Sequence, residues 1–438
     1  MSTKLKIIIS VIAGILALIL LFFLFKVFWG NKKTESIRLN YWGYQNDEED
    51  IKPLIDAYKE RHPNVSIVYK KVGETPEDYE KQLTDAIASG EGPDIFEVRN
   101  DWIPKHYKKL SSVPDSIYSP DEFSSTFFEV TKNDLTFKDK LYAIPFSVDT
   151  LALFYNAGAF GDKSIWNPPE TWEDLKAAVK KLKVLDGNAV GTAGAALGTS
   201  NNVEHSQDIL SLLMLQNKTK MVSNDQLRAY FNLSTKDKND NIIYPGTAAL
   251  DFYASFANPV KENYTWRAEM PNSLDAFLSG KTDMILGYAS DIKKIKKVTD
   301  KLNFEISPAP QMSNEKVYFA KYWANGVSKN SKNQDTAWDF LKFSSEKDQL
   351  KKYLDKAQLP TARKDLEDWQ TNKKYMATFT KQIEKAQTWY VVDWEKTDTI
   401  FKSLISDVVT GKQPSQAAID NAAKQVTDLL QEFKQKEQ

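Results

Sequence analysis

The sequence predicts an α/β protein of two domains behind one apolar, membrane-length segment. Three observations carry that reading. At 438 residues the chain exceeds one ordinary core, so two domains of roughly 150–200 residues are expected. Between residues 37 and 98 the pattern runs strand, helix, strand, helix, strand, the order of a parallel sheet wrapped by helices. Residues 7–25 form a run without a single charge.

That run opens the chain. Nineteen residues at the helical rise span about 28 Å, close to the hydrocarbon thickness of a bilayer. Lys4 and Lys6 precede it, and Lys26, Lys32 and Lys33 follow. A cleaved signal peptide would have a shorter apolar stretch ending in small residues, whereas this one ends Phe25-Lys26-Val27-Phe28-Trp29. The segment therefore reads as an uncleaved single-pass anchor, with residues 1–35 as anchor and linker. Because the chain has no cysteine, lipid attachment at a mature N-terminal cysteine is excluded, as are disulfides, zinc-thiolate sites and thiol nucleophiles. The three histidines, His62, His106 and His205, are scattered singly, and no metal or cofactor is expected. With 58 basic against 59 acidic side chains, there is no positive excess to argue for nucleic acid.

Residues 37–42 read as the first strand, and 50–62 as a helix with Ile51, Leu54, Ile55 and Tyr58 at helical spacing. Pro63-Asn64 breaks it before the second strand, 65–72. The helix at 79–89 stops at Gly90, and the third strand is 94–98. Residues 141–155 are extended and apolar. Thr171 reads as the N-cap of a helix running to Leu182, with Asp174 in the capping-box position. Residues 208–215, 248–257 and 273–278 continue the α/β texture, 318–328 returns to strand character, and the chain from Thr336 is expected to be almost wholly helical, closing with 414–433.

Several short motifs lack a needed residue. Ser279-Gly280-Lys281-Thr282 resembles the end of a phosphate loop, but the glycine required five residues earlier is Asp275. Gly191, Gly194 and Gly198 do not have dinucleotide-fingerprint spacing. Asp237, Asn239 and Asn241 resemble half a calcium loop, but Ile242 occupies the position of its turning glycine. What remains is a set of aromatic and polar residues at expected strand ends: Trp42, Asp101-Trp102, Tyr155, Trp266, Tyr288, Trp323 and Trp389-Tyr390. Ligands of open α/β sheets sit beyond the carboxyl ends of strands. Aromatic faces suit the C–H face of a sugar ring, while carboxylates and amides suit its hydroxyls.

Six segments in order then resemble one family. They are Gly92-Pro93-Asp94-Ile95-Phe96, Tyr142-Ala143-Ile144-Pro145, Leu153-Phe154-Tyr155-Asn156, Pro168-Pro169-Glu170-Thr171-Trp172-Glu173-Asp174-Leu175, the stretch from Ala276 to Met284, and that from Leu359 to Leu366. Together they look like the family 1 extracellular solute-binding proteins, which include the maltose-binding components of ABC importers. The resemblance covers about residues 37–433. It implies the two-lobed periplasmic-binding-protein fold (type II), hinged around a ligand cleft, with lobe 1 at 36–146 plus 309–345 and lobe 2 at 147–308 plus 346–438. Crossings are expected near 146–148, 306–310 and 345. It implies that Asp101, Tyr155, Trp389 and Tyr390 face the cleft. Ser290 replaces a tryptophan usual in the family, leaving Tyr288 as the nearest aromatic, and Trp102 replaces a basic residue of maltose binders, so the solute need not be maltose.

The expected protein is a non-catalytic, membrane-anchored, extracytoplasmic monomer. It would capture a carbohydrate, most simply an oligosaccharide, for ABC permease subunits. Trp42, Asp101, Trp102 and Trp323 would line the cleft from lobe 1, and Tyr155, Trp266, Tyr288, Trp389 and Tyr390 from lobe 2. Two other readings use the same residues. A glycoside hydrolase needs two carboxyls about 5–9.5 Å apart, for which Asp393 and Glu395 are the nearest pair. A sensor would pass ligand status to a membrane partner.

Overall fold

The computed structural model describes residues 36–437 apart from 188 and 300, together with residues 2, 3, 9 and 12–20. Of the apolar segment 7–25, residues 9 and 12–20 are described and the other nine lie outside the described residues. Its described residues, 9 and 12–20, are helical and exposed. Among the described residues no helix is long and apolar enough to cross a membrane.

In chain order the elements that position the site are β1 (Ile37–Gly43), α1 (Glu48–Arg61), β2 (Val65–Lys71), α2 (Pro76–Ser89), β3 (Ile95–Arg99), β4 (Ile144–Pro145), β5 (Ala152–Asn156), α3 (Trp172–Leu182) and α4 (Ser206–Gln216). They continue with β6 (Met284–Gly287), α5 (Ala289–Val298), β7 (Phe304–Pro308), β8 (Trp323–Val327), α6 (Lys347–Ala357), α7 (Trp394–Val409) and α8 (Ser415–Glu437). The early pattern folds as its periodicity dictates. Pro76 starts α2, Thr75 caps it, and Gly90 ends it at φ 82°, a left-handed conformation that costs glycine little. Thr171 and Asp174 form the expected capping box on α3.

The first sheet runs β2-β1-β3-β8-β4. Its first three strands are parallel, with Ile37 opposite Val65 and Tyr41 opposite Ile95. Beyond β3 the expected parallel order ends, since β8 pairs antiparallel with Trp323 opposite Arg99. The reason is connectivity: β8 follows a long excursion through the other lobe, so no βαβ crossover fixes its direction. The second sheet, β6-β5-β7, is antiparallel throughout. Within the mainly helical chain after Thr336, Ala386–Gln387 pairs with Tyr318–Phe319 as a short parallel ladder.

Two hydrophobic cores result. The first gathers Leu39, Tyr41, Ile51, Ile95, Trp102 and Val148, and later Ala320, Ala324, Trp338, Leu350 and Leu366. The second gathers Leu151, Phe154, Trp172, Leu212, Trp266 and Phe319, and later Phe379, Phe401 and Leu430. Core membership changes between Val148 and Leu151, between Phe319 and Ala320, and repeatedly after Leu366, where Met376 and Phe379 join the second core, Ile383 the first and Trp389 the second again. These changes fall later than the crossings expected near 306–310 and 345. α6 carries Leu350, Tyr353 and Leu354 into the first core beside α1, so its apolar face, rather than its distance along the chain, decides where it belongs.

The chain passing between the cores is pinned by Asp149. Its carboxylate accepts hydrogen bonds from the backbone N–H groups of Thr150, Ala289 and Ser290 at 2.9–3.1 Å, the last two opening α5. Burial, with Asp291 nearby, pushes this acid up to about 7 although three donors oppose the shift.

Candidate functional site

The first lobe presents the loop after β1 and the turn after β3 to the second lobe. Glu97, on β3, is buried beneath residues 44–46 and accepts from the backbone N–H groups of Tyr44 and Gln45, both at 2.8 Å. Gly43 permits this tight return, because a Cβ there would run into the Tyr69 hydroxyl. The loop thus delivers Tyr44 to Trp323, their ring centroids 5.1 Å apart. Trp323 in turn meets Trp102 edge-on at 5.1 Å, and Trp102 stacks on Tyr79 at 6.2 Å.

Arg99 joins this aromatic group to the second lobe. Its Nε donates to Asp101 Oδ1 at 2.6 Å, and its guanidinium lies 4.9 Å from Trp102 and 4.3 Å from Trp394, the first residue of α7. Its Nη2 stands 3.7 Å from Glu395 Oε1, and neither atom makes a hydrogen bond. Burial opposes the positive charge of Arg99, but Asp101 and Glu395 more than restore it. Lys105 extends the contact, reaching Glu80 at 2.7 Å, Glu395 at 3.3 Å and Asp393 at 3.8 Å. Asp393 and Glu395 are therefore held by cations from the facing lobe, and Asp393 also caps α7 through the Lys396 N–H.

On one side of this bridge lies a cavity of about 250 Å³, bordered by Glu204, His205, Gln207, Asp208, Lys321 and Trp394 among others. Asp208 accepts from Tyr288 Oη and Lys321 Nζ, each at 3.0 Å. His205 Nε2 is 3.2 Å from Asp291, and Glu204 is close enough to complete a three-ligand cation cluster. Lys294 Nζ, 2.8 Å from Asp291, already supplies the positive charge there.

On the other side lies a cavity of about 550 Å³, within the usual range of small-molecule sites. The first lobe contributes Asn100, Asp101, Asp134 and Phe137, and the second Thr388, Trp389, Tyr390 and Phe433. Asp134 accepts from Asn100 Nδ2 at 3.0 Å, from Tyr322 Oη at 2.9 Å and from the Thr388 hydroxyl, the last a bond between lobes. Burial pushes its carboxyl up to about 6. The last turn of α8 closes one wall, where Glu437 takes Lys108, Lys138 and Tyr107 from the first lobe.

Of the nine residues singled out in sequence, Asp101, Trp389 and Tyr390 border the larger cavity. Trp323 belongs to the aromatic group beside it. Tyr288 lies behind the smaller cavity, with its hydroxyl on Asp208. Trp102 and Trp266 are 1 % and 0 % exposed and are core side chains in this conformation. Trp42 is half-buried with Lys70 Nζ over its ring at 5.2 Å, and Tyr155 packs on Phe160 at 4.5 Å; neither borders either of these two cavities. Arg99, Asp134, Asp208, Lys321, Thr388 and Trp394 were not singled out as binding residues. Only Trp394, an aromatic at a helix start, carried a signal of the kind used.

The chain matches the bacterial extracellular solute-binding protein family over residues 53–381, three quarters of its length. It belongs to that family. A binding protein of Brucella abortus is 23% identical over 390 residues, 87% of this chain and 89% of that one. A solute-binding protein from Thermotoga lettingae, solved with α-D-tagatose, superposes with a TM-score of 0.74 at 18% identity, covering 90% of this chain and all of that one. The cyclic α-maltosyl-1,6-maltose binding protein of Arthrobacter globiformis gives the same score and identity, covering 90% of this chain and 99% of the other. The family and these neighbours are binding proteins rather than enzymes, and their fold is the two-lobed α/β fold found here.

Proposed function

We propose that this solute-binding protein captures an oligosaccharide in the cavity between its lobes and presents it to an ABC permease from the outer face of the cell membrane. The observation that carries the reading is the cavity of about 550 Å³ bordered by residues of both cores. A solute there touches both lobes at once, which is the condition for a ligand to favour closure. Tyr390 and Phe137 offer aromatic surface, while Asn100, Asp101, Asp134 and Thr388 offer hydroxyl partners. The sugars tied to the neighbours, a monosaccharide bound in one structure and a cyclic oligosaccharide in the other protein's name, agree with the chemistry.

Anchoring through residues 7–25 is part of the proposal. It is supported by the exposure of Ile12, Ile15, Leu16, Leu18, Ile19 and Leu20 on one apolar helical stretch, which water would not favour. The test is a glycan panel read by tryptophan fluorescence and thermal unfolding of the full-length chain. A cognate oligosaccharide should shift both signals, raising the melting temperature by mass action. A broad panel that moves neither signal refutes the reading.

A further inference from the structure

The charge of the larger cavity goes further than its shape. Five carboxylates border it, Asp101, Asp134, Asp139, Asp225 and Glu437, against two ammonium groups, Lys138 and Lys434. Two of the five are neutralised locally: Asp101 by Arg99, and Glu437 by Lys108 and Lys138. Among the described residues Asp134, Asp139 and Asp225 enter no ion pair; Lys434 stands near them at the wall, and Arg228 acts on Asp225 from beside it.

Asp134 is the group best placed to read a ligand. All three of its donors are neutral, and two of them, Asn100 and Tyr322, share Oδ2. Oδ1 takes only the Thr388 hydroxyl and so retains an acceptor site. We infer that the cavity discriminates by charge, binding saccharides with a protonated amine most tightly, neutral ones less well, and uronate-bearing ones least. This rests on the oligosaccharide reading above and names the substrate class within it.

The physical argument has two parts. An ammonium beside Asp134 supplies a charge-assisted hydrogen bond and offsets the burial that disfavours its ionised form. A carboxylate brought into the same space meets three unpaired acids at short range and must lose its hydration to do so. A neutral sugar experiences neither effect. Of the positive groups around the cavity, Lys138 is committed to Glu437, Arg99 and Lys105 to Asp101, Glu395 and Glu80, while Arg228 lies near Asp225.

The experiment is calorimetric titration of the full-length chain, somewhat above the Asp134 midpoint of about 6, with three probes. These are glucosamine oligosaccharides, neutral gluco- and galacto-oligosaccharides of the same length, and oligogalacturonides. The expected order is amine over neutral by at least about tenfold, and neutral over uronate by a similar factor, roughly 1.4 kcal/mol per step. Asp134→Asn should shrink the amine-to-neutral ratio toward one. Because that substitution disturbs a hydrogen-bonded group, the exposed double variant Asp139→Asn, Asp225→Asn serves as a second arm, and the same ratio should fall about threefold. Equal affinity for all three classes, or a preference for uronates, overturns the inference while leaving carbohydrate binding intact. Binding to none of the three overturns both.

Discussion

Around the Arg99 bridge the two lobes present opposite materials. The first lobe offers an aromatic group, Tyr44, Tyr79, Trp102 and Trp323, with Arg99 laid against it. The second lobe offers carboxylates at or near helix starts, Asp208 and Asp291 among them, with Asp393 and Glu395 opening α7. The cations Arg99, Lys105 and Lys321 sit where these surfaces meet. An aromatic wall can be dry and still stable, because its rings bury one another. A carboxylate wall cannot, and holds its charges only through cations, hydroxyls and helix N–H groups. Burial between the lobes therefore has unequal consequences for the two sides.

The largest effects should come from residues that hold one wall together. Trp102→Ala should cost about 3–5 kcal/mol in denaturant unfolding, as for other buried aromatic truncations. A loss under about 1 kcal/mol would return Trp102 to the ligand-facing set. Asp208→Ala should cost a comparable amount, because it strands Lys321 and the Tyr288 hydroxyl away from water. If it proves silent, the second wall is not held by charge.

Next in size is the pH dependence. Asp149 and Asp134, raised to about 7 and about 6, keep their protons in the native state to a higher pH than in the unfolded chain, where Asp titrates near 3.9. The native state thus binds more protons between these limits. Their contribution to stability is full below the unfolded value and is lost as pH rises through the folded one. Glu80 acts in the opposite sense: despite burial, His106 and Lys105 hold it down to about 2, so its contribution is lost under acid. Calorimetric melting temperature should therefore rise as pH falls from neutrality to about 5 and drop below about 4. Asp149→Asn should flatten the upper part of that curve.

Smaller again is Tyr390→Ala. It should leave stability within about 1 kcal/mol, since the residue is only half-buried at the cavity, while weakening oligosaccharide binding at least about tenfold. Equal affinity in variant and parent would move the sugar away from this wall. The smallest change belongs to Lys293→Ala, which removes a 2.8 Å tie to Asp50 in the opposite lobe. The lysine is partly exposed, so the expected effect is below about 1 kcal/mol and fades with salt. It should show as faster ligand release in stopped flow.

Local rules reached far in the first hundred residues. The strands and helices from Ile37 to Arg99 follow from period and caps, and so does the α3 cap at Thr171. Ordered motifs sufficed for the family. The site was legible only in part, because the signal used was an aromatic or acid at a strand end. Asp101, Trp389 and Tyr390 fit that signal and border the larger cavity. Trp102 and Trp266 fit it equally and are core. Asp134 gave no signal at all, lying in a short helix whose sequence, Glu129–Leu135, is unexceptional.

The sequence alone therefore determined the α/β alternation, the lack of thiol chemistry, the charge balance and the family, since each depends on composition or on neighbours within a few residues. Tertiary structure decided which face each aromatic presents, where the chain crosses between cores, and which acids meet a cation. Those outcomes depend on pairs hundreds of residues apart, such as Arg99 with Glu395 and Asp134 with Thr388. No local periodicity encodes such pairs. They exist only once burial has forced charged groups from separate lobes to find one another.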